Sequence, residues 1–334
     1  LKPRREAVDG PVVYFVDHFF RDHELIGRLP MEKGDQLHFV DSSSEPEVTR
    51  IDAFKEAVSA ADSRTPCCVV GIGGGNALDT AKAVANLLTN PGKAEDYQGW
   101  ELVKNPAVYK IGIPTLSGTG SECSRTCVLT NIPKNLKLGM NSDYTVYDQL
   151  LLDPDLLATV PRDQYFYTGI DTFMHCVESL QGSYRNAIID AFSVRAVQLC
   201  EEIFLSDDMM SEDNREKMMI ASYIGGMAAG NVGVIHPFSA GLGVVLHVAH
   251  GLGNCLALNV LGDIYPKEYK QFRTMIERQG VNLPTGICKD LTKEQYEGLY
   301  RGCIVHEKPL TNALGPDFKQ ILTRENLIER YKSI

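Results

Sequence analysis

The chain has 334 residues, of which 44% are hydrophobic and 23% are charged, a composition typical of globular rather than disordered or fibrous proteins. Its length favours two domains, because single domains usually contain about 100 to 200 residues. The formal net charge of −10 argues against a nucleic-acid partner, which would need a clustered excess of lysine and arginine.

The cysteines favour a cytoplasmic protein. There are nine of them, scattered along the chain, and no apolar leader with a cleavage site opens the sequence, so a reducing compartment is expected. Cys123 and Cys127 have a spacing that a metal pair could use, but no second pair accompanies them, and packing is the favoured interpretation. The abrupt opening at Leu1 leaves room for a short strand before it.

A long apolar stretch, residues 218–260, could suggest a membrane span of about 20 residues. It is interrupted by Pro237, by many glycines and by polar side chains such as Asn231, which a lipid-exposed helix would not tolerate. The stretch therefore predicts a buried helical core that carries a polar site, with no membrane partner.

The first part of the chain alternates short strand-like runs with helix-like segments. The predicted strands are Val12–Val16, Gln36–Val40, Cys67–Ile72 and Tyr109–Ile113, and the predicted helices are Glu47–Ala61 and Ala77–Leu88. Such alternation predicts a parallel sheet with crossover helices.

After Asp153-Pro154 the strand-like runs stop and helical patterns continue to the end. The first three predicted helices are Gln164–Leu180, Asn186–Phe204 and Ser211–Gly230. The fold class is therefore α/β plus all-α: a Rossmann-like, parallel-sheet domain over residues 1–158 and an all-helical domain over residues 159–334. The motifs that follow indicate nucleotide binding for the first domain and a catalytic metal site for the second.

A glycine-rich turn follows the third predicted strand and opens a helix. Glycine lets backbone N–H groups approach a phosphate, and the helix N-terminus adds a favourable dipole. The candidate cofactor-binding residues of this turn are Gly73, Gly74, Gly75, Asn76 and Asp79. Such a turn alone is weak evidence, because a tight structural turn has the same composition.

A second loop, residues 114–122, follows the next strand and strengthens that interpretation. Its candidate cofactor-binding residues are Thr115, Leu116, Ser117, Thr119 and Ser121. Two such loops fit one extended ligand at the carboxyl edge of a parallel sheet. Asp17, which follows the first strand, could bind a ribose diol and so favour NAD over NADP, although a helix N-cap is almost as good an explanation.

The helical part contains a candidate metal site. Asp171 and His175 lie four residues apart on a predicted helix and so share one face. His236 and His250 occur in the apolar stretch, where an unpartnered imidazole would be costly, and His247 is a possible fourth ligand or proton relay. One carboxylate with three imidazoles suits Fe²⁺ or Zn²⁺.

These motifs resemble those of the iron-containing, group III alcohol dehydrogenases. Residues 73–82 (GGGNALDTAK) are similar to the family's GGGSxxDxAK loop, residues 114–122 (PTLSGTGSE) to its PTTxGTGSE loop, and residues 169–178 (GIDTFMHCVE) to its GMDAxxHxxE helix. The resemblance implies a metal-dependent, NAD(P)-linked dehydrogenase, usually a homodimer, with a nucleotide-binding α/β domain before a helical one.

The same resemblance implies a ligand set. The family binds its metal through the aspartate and histidine of that helix and two later histidines fourteen residues apart, which correspond to Asp171, His175, His236 and His250. The family commonly has another histidine four residues after the third ligand, where this chain has Ala240. With that relay missing, the expected catalytic residues are Asp171, His250 and His247, the last as a proton carrier.

The chain looks most like the subgroup that oxidises the C8 hydroxyl of 3-deoxy-D-manno-octulosonate (Kdo), a sugar of lipopolysaccharide, to an aldehyde. Arg125 could then meet the sugar carboxylate. The alternatives are a dehydrogenase or reductase of another small alcohol or aldehyde, an oxidase that uses oxygen as acceptor, and a lyase of the dehydroquinate-synthase kind.

Overall fold

The computed structural model describes all 334 residues, which form two compact units. The first contains Leu1–Leu116 and Ser121–Leu156, and the second contains Ser117–Gly120 and Leu157–Ile334. No helix combines the length and the apolar character needed to cross a bilayer.

The first unit is an α/β structure, as the sequence predicts. Its strands are β1 (Val12–Asp17), β2 (Gln36–Val40), β3 (Cys68–Gly73), β4 (Gly99–Trp100), β5 (Lys110–Pro114), β6 (Thr126–Asn131), β7 (Leu136–Asn141) and β8 (Gln149–Leu150). Its helices are α1 (Lys2–Ala7), α2 (Glu24–Arg28), α3 (Val48–Ala61) and α4 (Gly75–Leu87).

The main sheet is parallel, with the strand order β2-β1-β3-β5-β8. Alternate residues of β1 face two separate cores: Val13 and Phe15 pack in one, and Val12, Tyr14 and Val16 in the other. Burial on both faces explains why the strands are continuous apolar runs. The strand order changes direction between β1 and β3, and ligands of open α/β sheets bind at the carboxyl ends of strands around such a point.

A second, three-stranded sheet was not predicted. It has the order β4-β7-β6, with β6 and β7 antiparallel. The β6 strand alternates partly buried with buried residues, but its sequence does not alternate in the same way. Val128 lies on the partly buried face and Asn131 on the buried one. The turn that follows carries Asn135 in the left-handed region, with φ 53°.

The second unit is entirely helical. Its helices are α5 (Arg162–Gln181), α6 (Ala187–Phe204), α7 (Glu212–Gly226), α8 (Ile235–Leu246), α9 (His250–Val260), α10 (Pro266–Gln279), α11 (Lys293–Ile304), α12 (Glu307–Leu314), α13 (Phe318–Ile321) and α14 (Arg324–Lys332). The apolar stretch at residues 218–260 therefore spans the end of α7, α8 and α9. Since α5 is buried continuously from Thr168 to Ser179, any polar side chain on it must find partners inside the unit.

Candidate metal centre and nucleotide-binding loops

Helix α5 presents a carboxylate and an imidazole to the interior of the helical unit. Asp171 is 1% exposed and His175 is 4% exposed. Their four-residue separation places them one helical turn apart on the same face, and His175 Nε2 lies 3.7 Å from Asp171 Oδ1. These two side chains form one wall of the site.

Two further imidazoles come from the beginnings of α8 and α9. His236 is the second residue of α8, and its Nε2 lies 3.2 Å from Asp171 Oδ1. His250 is the first residue of α9, and its Nε2 lies 3.6 Å from Asp171 Oδ2. The rings of His175 and His236 stack with centroids 4.5 Å apart. The structure thus brings together four side chains from three different helices.

The arrangement fits one divalent metal ion. The candidate ligand atoms of Asp171, His175, His236 and His250 all lie within 4.8 Å of one another, as expected for donors that each sit about 2 Å from a shared ion. Asp171 Oδ2 is buried without a hydrogen-bond partner, and leaving a carboxylate oxygen so is costly. Both observations favour a cation at the centre of the four.

The protonation of the site follows from its burial and its charges. Burial lowers the pKa of His175 to about 4, so that this ring is neutral near pH 7. Burial would also lower the pKa of His236, but the carboxylates of Glu178 and Asp171 outweigh it and raise that pKa to about 9. Burial opposes ionisation of Asp171, yet the three imidazoles hold its pKa well below the usual range.

Two residues that the sequence analysis did not select surround these ligands. Glu178, on α5, accepts a hydrogen bond from His236 Nδ1 at 2.5 Å. Asn254, on α9, donates from Nδ2 to Asp171 Oδ1 at 2.6 Å. A helical signal was available for both, because Glu178 lies two turns after Asp171 and Asn254 lies one turn after His250.

His247 occupies a different environment. It is exposed, ends α8 in the left-handed region with φ 56°, and is not among the four clustered residues. A non-glycine residue at positive φ is uncommon and stores strain. The structure therefore does not support His247 as a metal ligand. Its role as a proton carrier stays a prediction, with which an exposed imidazole three residues from His250 is compatible.

The first glycine-rich turn lies at the carboxyl end of β3. Gly73 has φ 151°, and a Cβ on it would come within 2.6 Å of Ala77 Cβ and 2.9 Å of Asp17 Cβ. Gly74 is the N-cap of α4, and Gly75 begins that helix. This is the geometry that exposes backbone N–H groups at a helix N-terminus.

The polar residues around this turn are largely engaged with the protein. Asp79 accepts from Ser121 Oγ at 2.5 Å and from Val128 N at 2.8 Å, so it holds the second loop and β6. Asn76 Nδ2 donates to the Ser44 carbonyl at 2.9 Å. These contacts explain both side chains structurally, without a ligand.

Asp17 shows the capping contact that was the alternative explanation. Its carboxylate accepts from Phe19 N at 3.0 Å and from Ser42 Oγ at 2.8 Å. It also ends β1 beside Gly73, at the sheet edge where a ribose would be expected. The two roles are compatible, because a carboxylate has more than two acceptor positions.

The second loop is divided between the two units. Thr115 N donates to the Gly73 carbonyl at 3.0 Å, and Leu116 lies against Gly74. Ser117 is buried and Thr119 is partly buried, and both belong to the helical unit.

Within the helical unit, Gly118 fixes this loop to α5 and α7. Gly118 N donates to Ser222 Oγ at 2.8 Å, and Thr172 Oγ1 donates to the Gly118 carbonyl at 3.1 Å. A Cβ on Gly118, whose φ is 132°, would lie 1.5 Å from the Thr168 carbonyl oxygen. Only glycine fits at this position.

Arg125 is occupied by the protein's own acidic side chains. Its Nη2 lies 2.5 Å from Glu101 Oε1 and 2.9 Å from Asp143 Oδ1. These two ion pairs compete with a substrate carboxylate for Arg125, so the suggested contact with a sugar acid is disfavoured. Neither Cys123 nor Cys127 belongs to the candidate metal cluster.

Two models of one protein family match most of the chain. The model for iron-containing alcohol dehydrogenase matches residues 21–154, and the model for the C-terminal part of the same family matches residues 165–296.

Curated relatives and solved structures agree with this match. The chain is 34% identical to the sulfoacetaldehyde reductase of Bilophila wadsworthia, over 64% of this chain and 56% of that protein. It is 32% identical to the NAD-dependent methanol dehydrogenase of Bacillus methanolicus, over 61% of this chain and 53% of that protein. The chain thus spans about half the length of these relatives. Among solved structures, the chain is similar in fold to the crystal structure of sulfoacetaldehyde reductase from Bifidobacterium kashiwanohense in complex with NAD⁺, with a TM-score of 0.79 and 24% sequence identity. The match covers 99% of this chain and 92% of that one.

The four-residue cluster predicts which histidines control metal affinity. His175→Ala removes a candidate ligand, so Zn²⁺ affinity should fall by more than the roughly 100-fold expected from losing an outer hydrogen-bond partner. His247→Ala is the matched control and should bind as the wild type does. Competition against a fluorescent chelator measures both affinities. Equal losses in the two variants would contradict the assigned site.

The pKa of His236 predicts that metal uptake releases a proton. Near pH 7 its ring carries a proton that a metal ligand must lose, whereas His175 is already neutral. Affinity should therefore rise by up to about tenfold per pH unit from pH 6 towards pH 9. Calorimetric titration in buffers of different ionisation enthalpy should show about one proton released at pH 7. A pH-independent affinity with no proton release would refute this.

Proposed function

We propose that this chain, which belongs to the iron-containing alcohol dehydrogenase family, interconverts a small primary alcohol and its aldehyde, with NAD as hydride carrier and one divalent metal ion. The observation that carries the proposal is the cluster of Asp171, His175, His236 and His250 inside the helical unit. A buried carboxylate facing three imidazoles has the donor set of a catalytic metal site.

The chain's residues divide the work as follows. The four clustered side chains would hold Fe²⁺ or Zn²⁺, which supplies Lewis-acid polarisation of the substrate oxygen. Asp171 contributes the only carboxylate among these ligands, and Asn254 keeps it oriented through the 2.6 Å hydrogen bond to Oδ1. The imidazoles stay neutral as ligands, which suits the low pKa of His175.

The α/β unit supplies the surface for the nucleotide. Backbone N–H groups of Gly74 and Gly75 at the N-terminus of α4 would bind its phosphates. Asp17, at the end of β1, would accept hydrogen bonds from a ribose diol, and this carboxylate would repel a 2′-phosphate. Its position beside Gly73 supports NAD over NADP as the preferred cofactor.

The proton of the alcohol needs a route out of the site. Ala240 stands where the family commonly has a histidine, and its methyl group cannot carry a proton. His247 is the exposed imidazole nearest in sequence to His250, and we assign it the proton transfer to solvent. General acid–base residues of this kind contribute about 100-fold or more to rate.

A small substrate has better support than a sugar acid. Relatives at 34% and 32% identity carry the names sulfoacetaldehyde reductase and NAD-dependent methanol dehydrogenase, and both names refer to compounds of one or two carbons. Neither of these names refers to Kdo, and Arg125 is already paired with two carboxylates. We therefore place Kdo second to a small alcohol or aldehyde.

The compartment and the assembly remain proposals from the sequence. Nine scattered cysteines favour a reducing compartment such as the cytosol. A homodimer is proposed from the family resemblance alone.

Metal removal gives the test of this function. Protein loaded with Fe²⁺ or Zn²⁺ is mixed with NADH and a panel of short aldehydes, including sulfoacetaldehyde and formaldehyde, and NADH absorbance is followed. Chelation should lower the rate by about 100-fold or more, because Lewis-acid polarisation contributes several kcal/mol to such reactions. The reverse assay uses NAD with short alcohols and with Kdo.

The rival functions give different outcomes in the same assay. Product without net change in NADH would indicate the lyase alternative, and aldehyde formation that requires oxygen would indicate an oxidase. Turnover of Kdo but of no small alcohol would reverse the order of the substrates. A rate that survives chelation would refute the metal-dependent mechanism.

A further inference from the structure

Glu178 is a buried carboxylate that does not belong to the four-ligand cluster but touches it. It lies on α5, is 1% exposed, and uses both oxygens. Oε2 accepts from His236 Nδ1 at 2.5 Å, while Oε1 accepts from Ile235 N at 2.6 Å and from the Tyr265 hydroxyl at 3.2 Å. Three donors therefore converge on one carboxylate beside a candidate metal ligand.

The contact with His236 determines which nitrogen is free to bind a metal. A neutral imidazole carries one N–H and one lone pair. When Nδ1–H donates to Glu178, the lone pair is on Nε2, which is the atom that lies 3.2 Å from Asp171 Oδ1. Hydrogen bonds of this kind fix the tautomer and the ring orientation of ligating histidines.

The contact with Ile235 couples this orientation to the beginning of α8. Ile235 is the first residue of that helix, and its N-cap, Val234, offers no side-chain cap. The carboxylate of Glu178 takes that role, and a negative charge at a helix N-terminus is favourable. The main chain just before His236 is thereby held by the same group that holds its ring.

Tyr265 completes the support. Its hydroxyl donates to Glu178 Oε1 and accepts from Val234 N at 3.0 Å. A Cβ on Gly233 would come within 2.5 Å of that hydroxyl and 3.0 Å of Glu178 Oε1, so the carboxylate has little room to move. Its geometry is set by the helical unit independently of any ligand.

We propose that Glu178 is a positioning residue for the metal centre: it holds His236 in the Nδ1–H tautomer, with Nε2 presented to the metal ion. The inference rests on the metal site of the proposed function. A purely structural role, as a cap of α8, would change the stability of the fold but not the intrinsic metal affinity of the folded protein.

Glu178→Gln tests the positioning role because an amide, unlike a carboxylate, has one acceptor end and one donor end. Either the amide oxygen keeps His236 and the NH₂ group opposes the Ile235 N–H, or the oxygen keeps Ile235 and the NH₂ group faces His236 Nδ1. Neither orientation satisfies all the donors. The matched control is Glu201→Gln, which removes a carboxylate that accepts from Gln271 on another part of the helical unit.

The experiment is a chelator competition with Zn²⁺ on folded wild type, Glu178→Gln and Glu201→Gln, with circular dichroism to verify folding. Glu178→Gln should weaken binding by about 10- to 100-fold, the usual effect of losing an outer partner of a ligating histidine, and Glu201→Gln should leave it unchanged. Affinity of Glu178→Gln within twofold of wild type would overturn the inference. Wild type that binds no metal would instead overturn the proposed function.

A second measurement needs no variant. In Zn²⁺-loaded wild type with ¹⁵N-labelled histidine, the His236 ring should show a protonated Nδ1 and a metal-bound Nε2. A metal-bound Nδ1, or a ring without a protonated Nδ1, would overturn the proposal even if Glu178→Gln does not fold.

Discussion

The structure of the helical unit depends on compensating one buried negative charge, that of Asp171. The carboxylate is 1% exposed, and burying an isolated charge would cost far more than a single domain can spare. Three imidazoles and the amide of Asn254 surround it, supplied by α5, α8 and α9. The packing of these three helices therefore both compensates the buried charge and forms the site.

A network of hydrogen bonds extends outward from Asp171. Asp171 orients toward His236, His236 toward Glu178, and Glu178 toward the first turn of α8 and Tyr265. Each group supplies a hydrogen-bond partner for the next, as the groups of a buried polar network must if the network is not to destabilise the fold. The supports of the site are the ends and faces of packed helices rather than loops.

The same helix also fixes part of the glycine-rich loop that follows β5. Thr172 is the residue after Asp171, and its hydroxyl holds the Gly118 carbonyl. A Cβ on Gly120 would meet Gly226 Cα of α7 at 2.5 Å, so this segment is packed too closely for a larger residue. The glycines of this loop thus have a packing reason in addition to any contact with phosphate.

Much of this could be predicted from the sequence, and the failures have physical reasons. The strands are visible as short continuous apolar runs, and the four-residue spacing of Asp171 and His175 places both on one face of a helix. His236 and His250 were selected because they lie in an apolar stretch, and the family resemblance added their spacing, but their meeting depends on how α8 and α9 pack. Glu178 and Asn254 were missed although each lies at a helical spacing from a ligand, because that spacing alone does not distinguish a hydrogen-bond partner from any other residue on the same helix face. Asp79 was selected for the cofactor because sequence cannot show that Ser121 and Val128 N already use its oxygens.

The most direct test of the central claim is anomalous diffraction from crystals grown with Fe²⁺ or Zn²⁺, recorded on both sides of the metal absorption edge. The account predicts a single strong peak enclosed by Asp171 and by His175, His236 and His250, about 2 Å from each ligand atom. A peak elsewhere, or none at this site with metal in excess, would contradict it.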